Sequence, residues 1–320
     1  MSQPLIEVKN LKKYFNTPNG NLHAVDNVNL TIEKGKTLGV VGESGCGKST
    51  LGRLMLRLLE PTDGEILYKG QNILDYKHNQ MRNMRKEMRI IFQDPYSSIN
   101  PRMTVSQIIA EPIIVNKMFT NKKDIEKKVF SLMETVGLAE RLVNAYPHEL
   151  DGGRRQRIGV ARALSVDPEF IVCDEPVSAL DVSIQAQILN LMMDLQEQMG
   201  LTYLFITHDL SVVKHISDEI AVMYLGQCVE KAKSSELFKN PIHPYTQALL
   251  RAIPVPDLRY KGMKRAILKG EVASPINPKP GCRFASRCQQ QTELCIGYDY
   301  ELKEVEKDHF VACPLCQSCG

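Results

Sequence analysis

The chain has 320 residues, which is enough for one large core and a smaller appended unit. Hydrophobic residues make up 43% and charged residues 24%, as in folded globular proteins, which excludes a disordered chain. A net charge of only +3 gives no reason to expect a nucleic acid partner. There is no run of 18 apolar residues and no signal-peptide pattern, so we expect a cytosolic protein without a membrane-spanning helix.

The predicted elements begin with antiparallel strands in the first 40 residues, where apolar and polar positions alternate. A buried strand is predicted at 37–41, and the spacing of Leu51, Leu54, Leu56 and Leu59 predicts a helix after a Gly-rich turn. Residues 100–150 are predicted to be mainly helical, with a helix that ends near Gly137. Apolar segments at 170–173, 202–206 and 220–223 predict further buried strands, each separated from the previous one by a helical stretch. The sequence therefore predicts an α/β fold with a doubly wound parallel sheet, an antiparallel β edge and a helical insertion at about 95–160.

The Gly-rich turn matches the G-x-x-x-x-G-K-[ST] phosphate-loop pattern without a mismatch. Its glycines let several backbone N–H groups face phosphates, and the next helix adds its positive dipole end. Lys48 would contact the β- and γ-phosphates, and the Ser49 hydroxyl would ligate Mg²⁺. A chance glycine-rich turn is the alternative, but the strand before it and the helix after it disfavour that interpretation. The predicted ATP-binding residues here are Gly42, Glu43, Ser44, Gly45, Cys46, Gly47, Lys48, Ser49 and Thr50.

An acidic pair, Asp174 and Glu175, directly follows the apolar segment 170–173. Such a strand end would deliver Asp174 to the metal and would place Glu175 to orient and deprotonate an attacking water. By itself, an acidic pair after a strand is often only a strand end. It points to catalysis here because the same chain carries a phosphate loop and further matching motifs.

The segment 150–154 reads Leu-Asp-Gly-Gly-Arg and resembles the signature sequence of ATP-binding-cassette (ABC) ATPases, which is usually Leu-Ser-Gly-Gly-Gln. Other family landmarks are present in the expected order along the chain. Gln93, before this segment, resembles the Q-loop, and Asp181 and His208, after it, resemble the D-loop and the switch histidine. The resemblance covers roughly residues 5–250. It implies an ABC ATPase with a RecA-like parallel-sheet core, an antiparallel β subdomain and a helical subdomain.

The resemblance also implies roles for the matched residues. Gln93 and His208 would act with Glu175 in hydrolysis. Phe15 lies where the family stacks an aromatic ring on adenine, with Tyr14 as the alternative ring. The implied Mg²⁺ ligands are Ser49, Gln93 and Asp174, and the implied signature residues, which act on a partner's nucleotide, are Asp151, Gly152, Gly153 and Arg154.

Segments at 92–101, 146–150, 183–187 and 240–246 narrow the resemblance to the oligopeptide/dipeptide importer branch. In that branch, two different ATPase subunits pair beneath two transmembrane permease subunits, and an extracytoplasmic binding protein delivers peptide. This implies a peripheral subunit of an ATPase heterodimer on the cytoplasmic face of the bacterial membrane, which couples ATP hydrolysis to peptide import. Nickel is an alternative substrate, because a nickel-importing group shares the motifs. A soluble ABC ATPase of DNA repair or translation and a non-catalytic regulatory module are further alternatives.

Two signature positions depart from the family pattern, because Asp151 replaces the usual serine and Arg154 the usual glutamine. Aspartate is a good helix N-cap, so the fold should tolerate it. Its charge would lie near a γ-phosphate, where Arg154 would offset it. In a head-to-tail pair the signature completes the opposite site, so we expect the change to affect the site built on the partner's phosphate loop.

Six of the nine cysteines lie between Cys282 and Cys319, after a Pro-rich stretch that begins near residue 253. This predicts a nucleotide-binding domain at 1–253 and a Cys-rich C-terminal extension at 254–320. Four thiolates can hold Zn²⁺ or an iron–sulfur cluster, and spacings of five and six residues are longer than zinc knuckles use. The pattern resembles the [4Fe–4S] site of some members of the branch, with unligated cysteines as another alternative. The candidate ligands are Cys282, Cys288, Cys295 and Cys313, and Cys316 and Cys319 are either alternative ligands or part of a reactive tail.

Overall fold

The structure is a computed structural model of the chain, and it describes residues 3–94, 96–252 and 273–317. Contacts between residues divide the chain into two compact units. The first contains Met1–Glu33, Thr37–Leu74 and Thr207–Gly320, and the second contains Lys34–Lys36 and Asp75–Ile206.

The first unit contains an antiparallel sheet of four strands in the order β2-β1-β4-β5. Residue Ile6 pairs with Ile32, so the predicted antiparallel pairing in the first 40 residues is confirmed. At the start of the first strand, buried apolar residues alternate with more exposed ones, so the buried side chains point to one face of the sheet. The strands are β1 (Ile6–Thr17), β2 (Gly20–Ile32), β4 (Asp63–Tyr68) and β5 (Gln71–Asn72).

A second group of strands in this unit begins with β3 (Thr37–Val41), which is buried along its whole length and runs parallel to β9 (Glu219–Tyr224). Beyond β9 the pairing turns antiparallel, through β10 (Gln227–Lys233) to β12 (His309–Val311) and then β11 (Lys303–Glu306). The C-terminal residues therefore extend the same sheet that carries β3. The helices of this unit are α1 (Lys48–Met55), α7 (Leu210–Ile216), α8 (Ser234–Lys239), α9 (Pro244–Ala252) and α10 (Pro314–Gln317).

Helix α1 is shorter than the leucine pattern predicts. Leu56 and Leu59 lie beyond its last residue, Met55. The chain leaves the helix at Arg57, whose φ of 48° is left-handed and incompatible with a continuing α-helix. The leucine spacing therefore predicts the presence of the helix correctly but places its end too late.

The second unit has a parallel group of strands: β6 (Met88–Ile91), β7 (Phe170–Asp174) and β8 (Thr202–Ile206). The predicted strands at 170–173 and 202–206 are confirmed. Gly137 has a φ of 69° just beyond the end of the predicted helix, where a left-handed residue ends a helix. The helices are α2 (His78–Glu87), α3 (Val105–Val115), α4 (Lys122–Thr135), α5 (Gly152–Leu164) and α6 (Val182–Met199).

The predicted domain boundary at 253/254 lies in residues 253–272, outside the described part, and stays a prediction. Within the described residues, no helix combines the length and the apolar character needed to cross a membrane.

Candidate functional site

The predicted phosphate loop lies in the first unit and joins β3 to α1. Two of its glycines are required by their surroundings. A Cβ on Gly42 would lie 2.1 Å from the Met223 carbonyl oxygen, and one on Gly47 would lie 2.0 Å from the Ala24 carbonyl oxygen. Both also have positive φ angles, which disfavour other residues. The backbone is therefore shaped as a turn that leads directly into the N-terminus of α1.

The Lys48 side chain folds back onto this loop. It is 5% exposed, and its Nζ donates to the carbonyl oxygens of Gly42 at 2.8 Å and Glu43 at 3.0 Å. Cys46 is buried beneath it, and burial raises the pKa of the Cys46 thiol. The ammonium group is thus held at the loop by backbone oxygens, and Ser44 and Gly45 are exposed at the tip.

The two candidate adenine-stacking rings have different environments on β1. The Tyr14 ring stacks on His23 with centroids 3.9 Å apart, and its hydroxyl donates to Asp26 at 2.5 Å. Phe15 is half-buried, with Lys13 Nζ 5.0 Å from its ring centroid. Because neighbouring residues of a strand point to opposite faces, the Tyr14 contacts do not involve Phe15. This arrangement favours Phe15 as the stacking ring.

The acidic strand end lies in the second unit. Asp174 is 3% exposed at the last position of β7. Glu175 has a φ of 48°, and its backbone N–H donates to Ile206 O at 2.9 Å. Gln93 Nε2 donates to Glu175 Oε2 at 3.0 Å. The structure therefore brings together two of the three predicted catalytic residues, and Glu175 adopts a left-handed backbone conformation that is costly for a residue other than glycine.

The predicted signature segment forms the start of α5, with Asp151 as its N-cap. Asp151 Oδ1 accepts from the Arg154 backbone N–H at 2.8 Å, and Arg154 Nε lies 3.5 Å from Asp151 Oδ2. The predicted cap and the predicted charge pair are both present. A Cβ on Gly153 would lie 2.6 Å from Ile184 Cγ2, so this position is restricted to glycine without local movement.

The two remaining motif residues also lie at helix starts. Asp181 caps α6, with its carboxylate accepting from Ile184 N at 2.9 Å. His208 is exposed and lies one residue before Asp209, which caps α7. Asp181 thus stabilises the start of α6 as its N-cap, in addition to the D-loop role that the resemblance implies.

Residues that the sequence did not single out also contact the phosphate loop. Arg287, close to the end of the chain, forms an ion pair with Glu43, with Nη1–Oε2 at 2.8 Å and Nη2–Oε1 at 3.0 Å. The Glu43 backbone N–H donates to the Tyr245 hydroxyl at 2.9 Å. The lone carboxylate inside a phosphate-binding loop was a signal that a cation had to lie nearby, but sequence alone did not say which one.

A second arginine of the C-terminal segment contacts the β1–β2 sheet. Arg283 donates to Asp26 and to the Leu225 carbonyl oxygen. Burial alone would raise the pKa of Asp26, but hydrogen bonds from Tyr14 and His23 and the charge of Arg283 lower it overall. Asp26 therefore stays ionised while largely buried, since its donors compensate for lost water.

The four candidate cluster ligands lie in the C-terminal part of the first unit. All eight described cysteines are free thiols, and Cys319 lies outside the described residues. Burial, with a smaller effect of the thiols of Cys295, Cys313 and Cys288, raises the pKa of Cys282 to about 11, although a backbone hydrogen bond from Phe284 opposes the shift. The four thiols are thus near one another. Within the described parts of the chain, however, no three or more His, Cys, Asp or Glu side chains are arranged to hold a metal ion.

A phosphate loop between β3 and α1, with a capped signature helix in the second unit, defines an ATP-binding protein of the ABC class. A family model described as "ABC transporter" matches residues 25–178, and one described as "Oligopeptide/dipeptide transporter, C-terminal region" matches residues 229–295. The chain belongs to the ABC transporter family, in the group that carries this C-terminal region.

Individual relatives agree with that assignment. The chain is 51% identical to "Oligopeptide transport ATP-binding protein AppF" of Bacillus subtilis over 98% of both lengths. It is 49% identical to "Dipeptide transport ATP-binding protein DppF" of Escherichia coli, over 95% of this chain and 92% of the relative. A solved structure, "Dimeric structure of a post-hydrolysis state of the ATP-binding cassette MJ0796 bound to ADP and Pi", matches with a TM-score of 0.66 and 28% identity. That match covers 72% of this chain and 98% of the other.

Proposed function

We propose that the chain is the ATP-hydrolysing subunit of a bacterial peptide importer. The observation that carries this proposal is the phosphate loop with its buried lysine, Lys48, whose ammonium group lies on the loop carbonyls. The relatives named for oligopeptide and dipeptide transport support the substrate class, because they match nearly the whole chain. Nickel import by the same branch is the alternative.

In the proposed reaction, the loop backbone and Lys48 bind the β- and γ-phosphates of ATP, and Phe15 stacks on adenine. Ser49, Asp174 and Gln93 would hold Mg²⁺, which would neutralise phosphate charge when bound. Glu175 orients the attacking water and accepts its proton, and the hydrogen bond from Gln93 fixes the direction of its carboxylate. His208 contributes to the same step. ADP and phosphate are the products.

We propose that the active unit is a heterodimer with a second ABC ATPase subunit. The signature helix α5 would then aim its positive end at the partner's nucleotide. Asp151 is both the N-cap of that helix and an added negative charge, so it alters the site built on the partner's phosphate loop. The site that uses Lys48 stays competent, because the partner supplies its signature.

The dimer proposal is tested by the ATPase rate of the assembled transporter with Asp151→Ser, alone and combined with a Glu→Gln change at the partner's catalytic position. Asp151→Ser should change the rate only while the partner's site can hydrolyse ATP. A rate change that survives the partner's Glu→Gln change would refute the assignment of Asp151 to the opposite site.

The permease subunits are proposed to dock on the helical part of the second unit. A groove of about 900 Å³ runs along α3 and α4 and is lined by both apolar and charged side chains. Three of its apolar residues, Ile114, Val115 and Phe130, are 56%, 58% and 37% exposed. Exposed side chains of this size are typical of a surface that another protein covers. Docking there would keep the chain on the cytoplasmic face of the membrane.

The docking proposal predicts that Ile114→Asp with Phe130→Asp releases the chain from the permease subunits. Co-purification from membranes measures this directly. Leu294→Asp is the matched control, because Leu294 is 54% exposed but lies in the first unit. Normal co-purification of the double variant would refute the docking site.

Uptake assays in vesicles with the assembled transporter test the function as a whole. Labelled di- and oligopeptides should accumulate in an ATP-dependent manner, with delivery by an extracytoplasmic binding protein, and Glu175→Gln should abolish accumulation. ATP-dependent uptake of nickel without uptake of peptide would overturn the peptide assignment in favour of the alternative.

We further propose that Cys282, Cys288, Cys295 and Cys313 hold a [4Fe–4S] cluster. Their thiols lie near one another and have the donor chemistry that such a cluster uses, although they are not arranged around a single metal ion. Zn²⁺ is the alternative. Protein purified without oxygen should contain iron and sulfide and absorb broadly in the blue. A colourless protein with stoichiometric zinc would refute the cluster.

A further inference from the structure

Arg287 is the only cation for which the structure gives a direct ion pair with the described residues of the phosphate loop. Its two terminal nitrogens face the two carboxylate oxygens of Glu43 at 2.8 and 3.0 Å, which is the forked, bidentate geometry. The Arg287 side chain is 5% exposed and that of Glu43 is 26% exposed. An arginine guanidinium is always charged in proteins, so the pair joins two full charges.

Contacts other than the ion pair also fix the Arg287 guanidinium. Its Nη1 also donates to the Tyr224 hydroxyl at 3.2 Å. The guanidinium carbon lies 5.8 Å from the Tyr224 ring centroid and 5.9 Å from that of Phe284. These contacts hold a planar cation in one orientation, which a flexible surface arginine would not have.

Glu43 is also part of the loop's own hydrogen-bond network. Its carbonyl oxygen accepts from Lys48 Nζ at 3.0 Å and from Cys46 N at 3.3 Å, and its N–H donates to Tyr245. A displacement of Glu43 would therefore move an acceptor of the phosphate-binding lysine. Its carboxylate also has a charge effect, because an unpaired negative charge at this loop would repel a polyphosphate.

We propose that Arg287 is a positioning residue of the ATP site. It neutralises Glu43 and fixes the loop residue whose carbonyl oxygen holds Lys48. The C-terminal segment thus contributes to nucleotide binding through a loop residue, without touching ATP itself. This inference rests on the proposed function as an ATPase and adds to it a residue that lies 244 positions from the loop.

The test is a double-mutant cycle on the whole chain, with MgATP binding measured by calorimetry. Arg287→Gln leaves the Glu43 carboxylate unpaired, and the Kd for ATP should rise roughly tenfold. Adding Glu43→Gln removes that charge, so the double variant should bind within about threefold of the Glu43→Gln single variant. In the assembled transporter, Arg287→Gln should raise KM for ATP much more than it lowers kcat.

Lys233→Gln is the matched control. It breaks an ion pair of 2.8 Å with Asp308, which also joins β10 to the C-terminal residues but does not involve the loop. This variant should bind ATP like the unaltered protein. Arg287→Lys retains the charge without the fork and should give a smaller rise in Kd, so it keeps the cycle measurable if Arg287→Gln fails to fold.

Three results would overturn the proposal: unchanged ATP binding by both Arg287 variants, a double variant as weak as Arg287→Gln, or an equal loss in Lys233→Gln. The last two would mean that Arg287 only attaches the C-terminal segment. If the unaltered chain itself fails to bind ATP, the proposed ATPase function is wrong. Failure of the cycle with normal ATP binding refutes the positioning role alone.

Discussion

Acidification should destabilise the first unit through His243, a fully buried histidine just before α9. Burial lowers the pKa of His243 to about 4, although the nearby carboxylate of Glu230 opposes this effect. Its Nδ1 accepts from Tyr245 N at 3.1 Å, and Nε2 has no hydrogen-bond partner among the described residues. The groups that face it are Glu230, which accepts from the His243 backbone N–H at 3.0 Å, and His309, which is paired with Glu230 at 2.7 Å.

The direction of the effect follows from proton binding by the two states. An unfolded histidine has a pKa of about 6.5, so between pH 6.5 and pH 4 the unfolded state binds a proton that the folded state does not. The free energy of unfolding therefore falls as the pH falls through this window. One pKa unit corresponds to about 1.4 kcal/mol, so the loss between pH 7 and pH 5 is about 2 kcal/mol. That loss corresponds to a decrease in Tm of roughly 4 °C or somewhat more.

The assay compares the pH dependence of Tm in three proteins, since other groups also titrate. His243→Asn should have a flatter dependence between pH 7 and pH 5 than the unaltered protein, by roughly the 4 °C calculated above. His78→Asn is the matched control, because His78 is exposed at the start of α2, and it should retain the original slope. Equal slopes for all three proteins would refute the assignment of this pH dependence to His243.

The remaining predictions concern catalysis, packing and capping. Glu175→Gln should lower phosphate release by roughly 10²- to 10⁴-fold with ATP affinity retained, and a rate near that of the unaltered protein would exclude Glu175 as the base. Phe284 is 2% exposed and packs against the rings of Tyr224 and Tyr245, so Phe284→Ala should cost about 3–5 kcal/mol, measured by denaturant unfolding. Asp151→Ala should cost about 1 kcal/mol through loss of the N-cap, whereas Asp151→Ser should retain most of the stability; equal losses would argue against the cap.

Much of the candidate site could be predicted from local sequence. Three features depend on residues within a few positions of one another: the phosphate loop, the N-cap of α5 at Asp151, and Gly137, which ends α4. Hydrogen bonds of this kind form as soon as the backbone adopts the local conformation, so residue type and spacing are sufficient to indicate them. The end of α1 was missed, because the leucine pattern reports burial, and burial continues past the last helical turn at Leu56.

Tertiary structure alone decided the contacts between distant parts of the chain. Nothing near Arg287 in sequence indicates Glu43 as its partner, and nothing near Glu230 indicates His309. His309 reaches Glu230 because β12, on which it lies, pairs with β10, and Arg287 reaches Glu43 because the C-terminal residues fold into the unit that contains the phosphate loop. Sequence determined the chemistry of nucleotide binding, because that chemistry is local. The structure determined what supports it, because a buried charge needs a partner that only the folded chain can bring near.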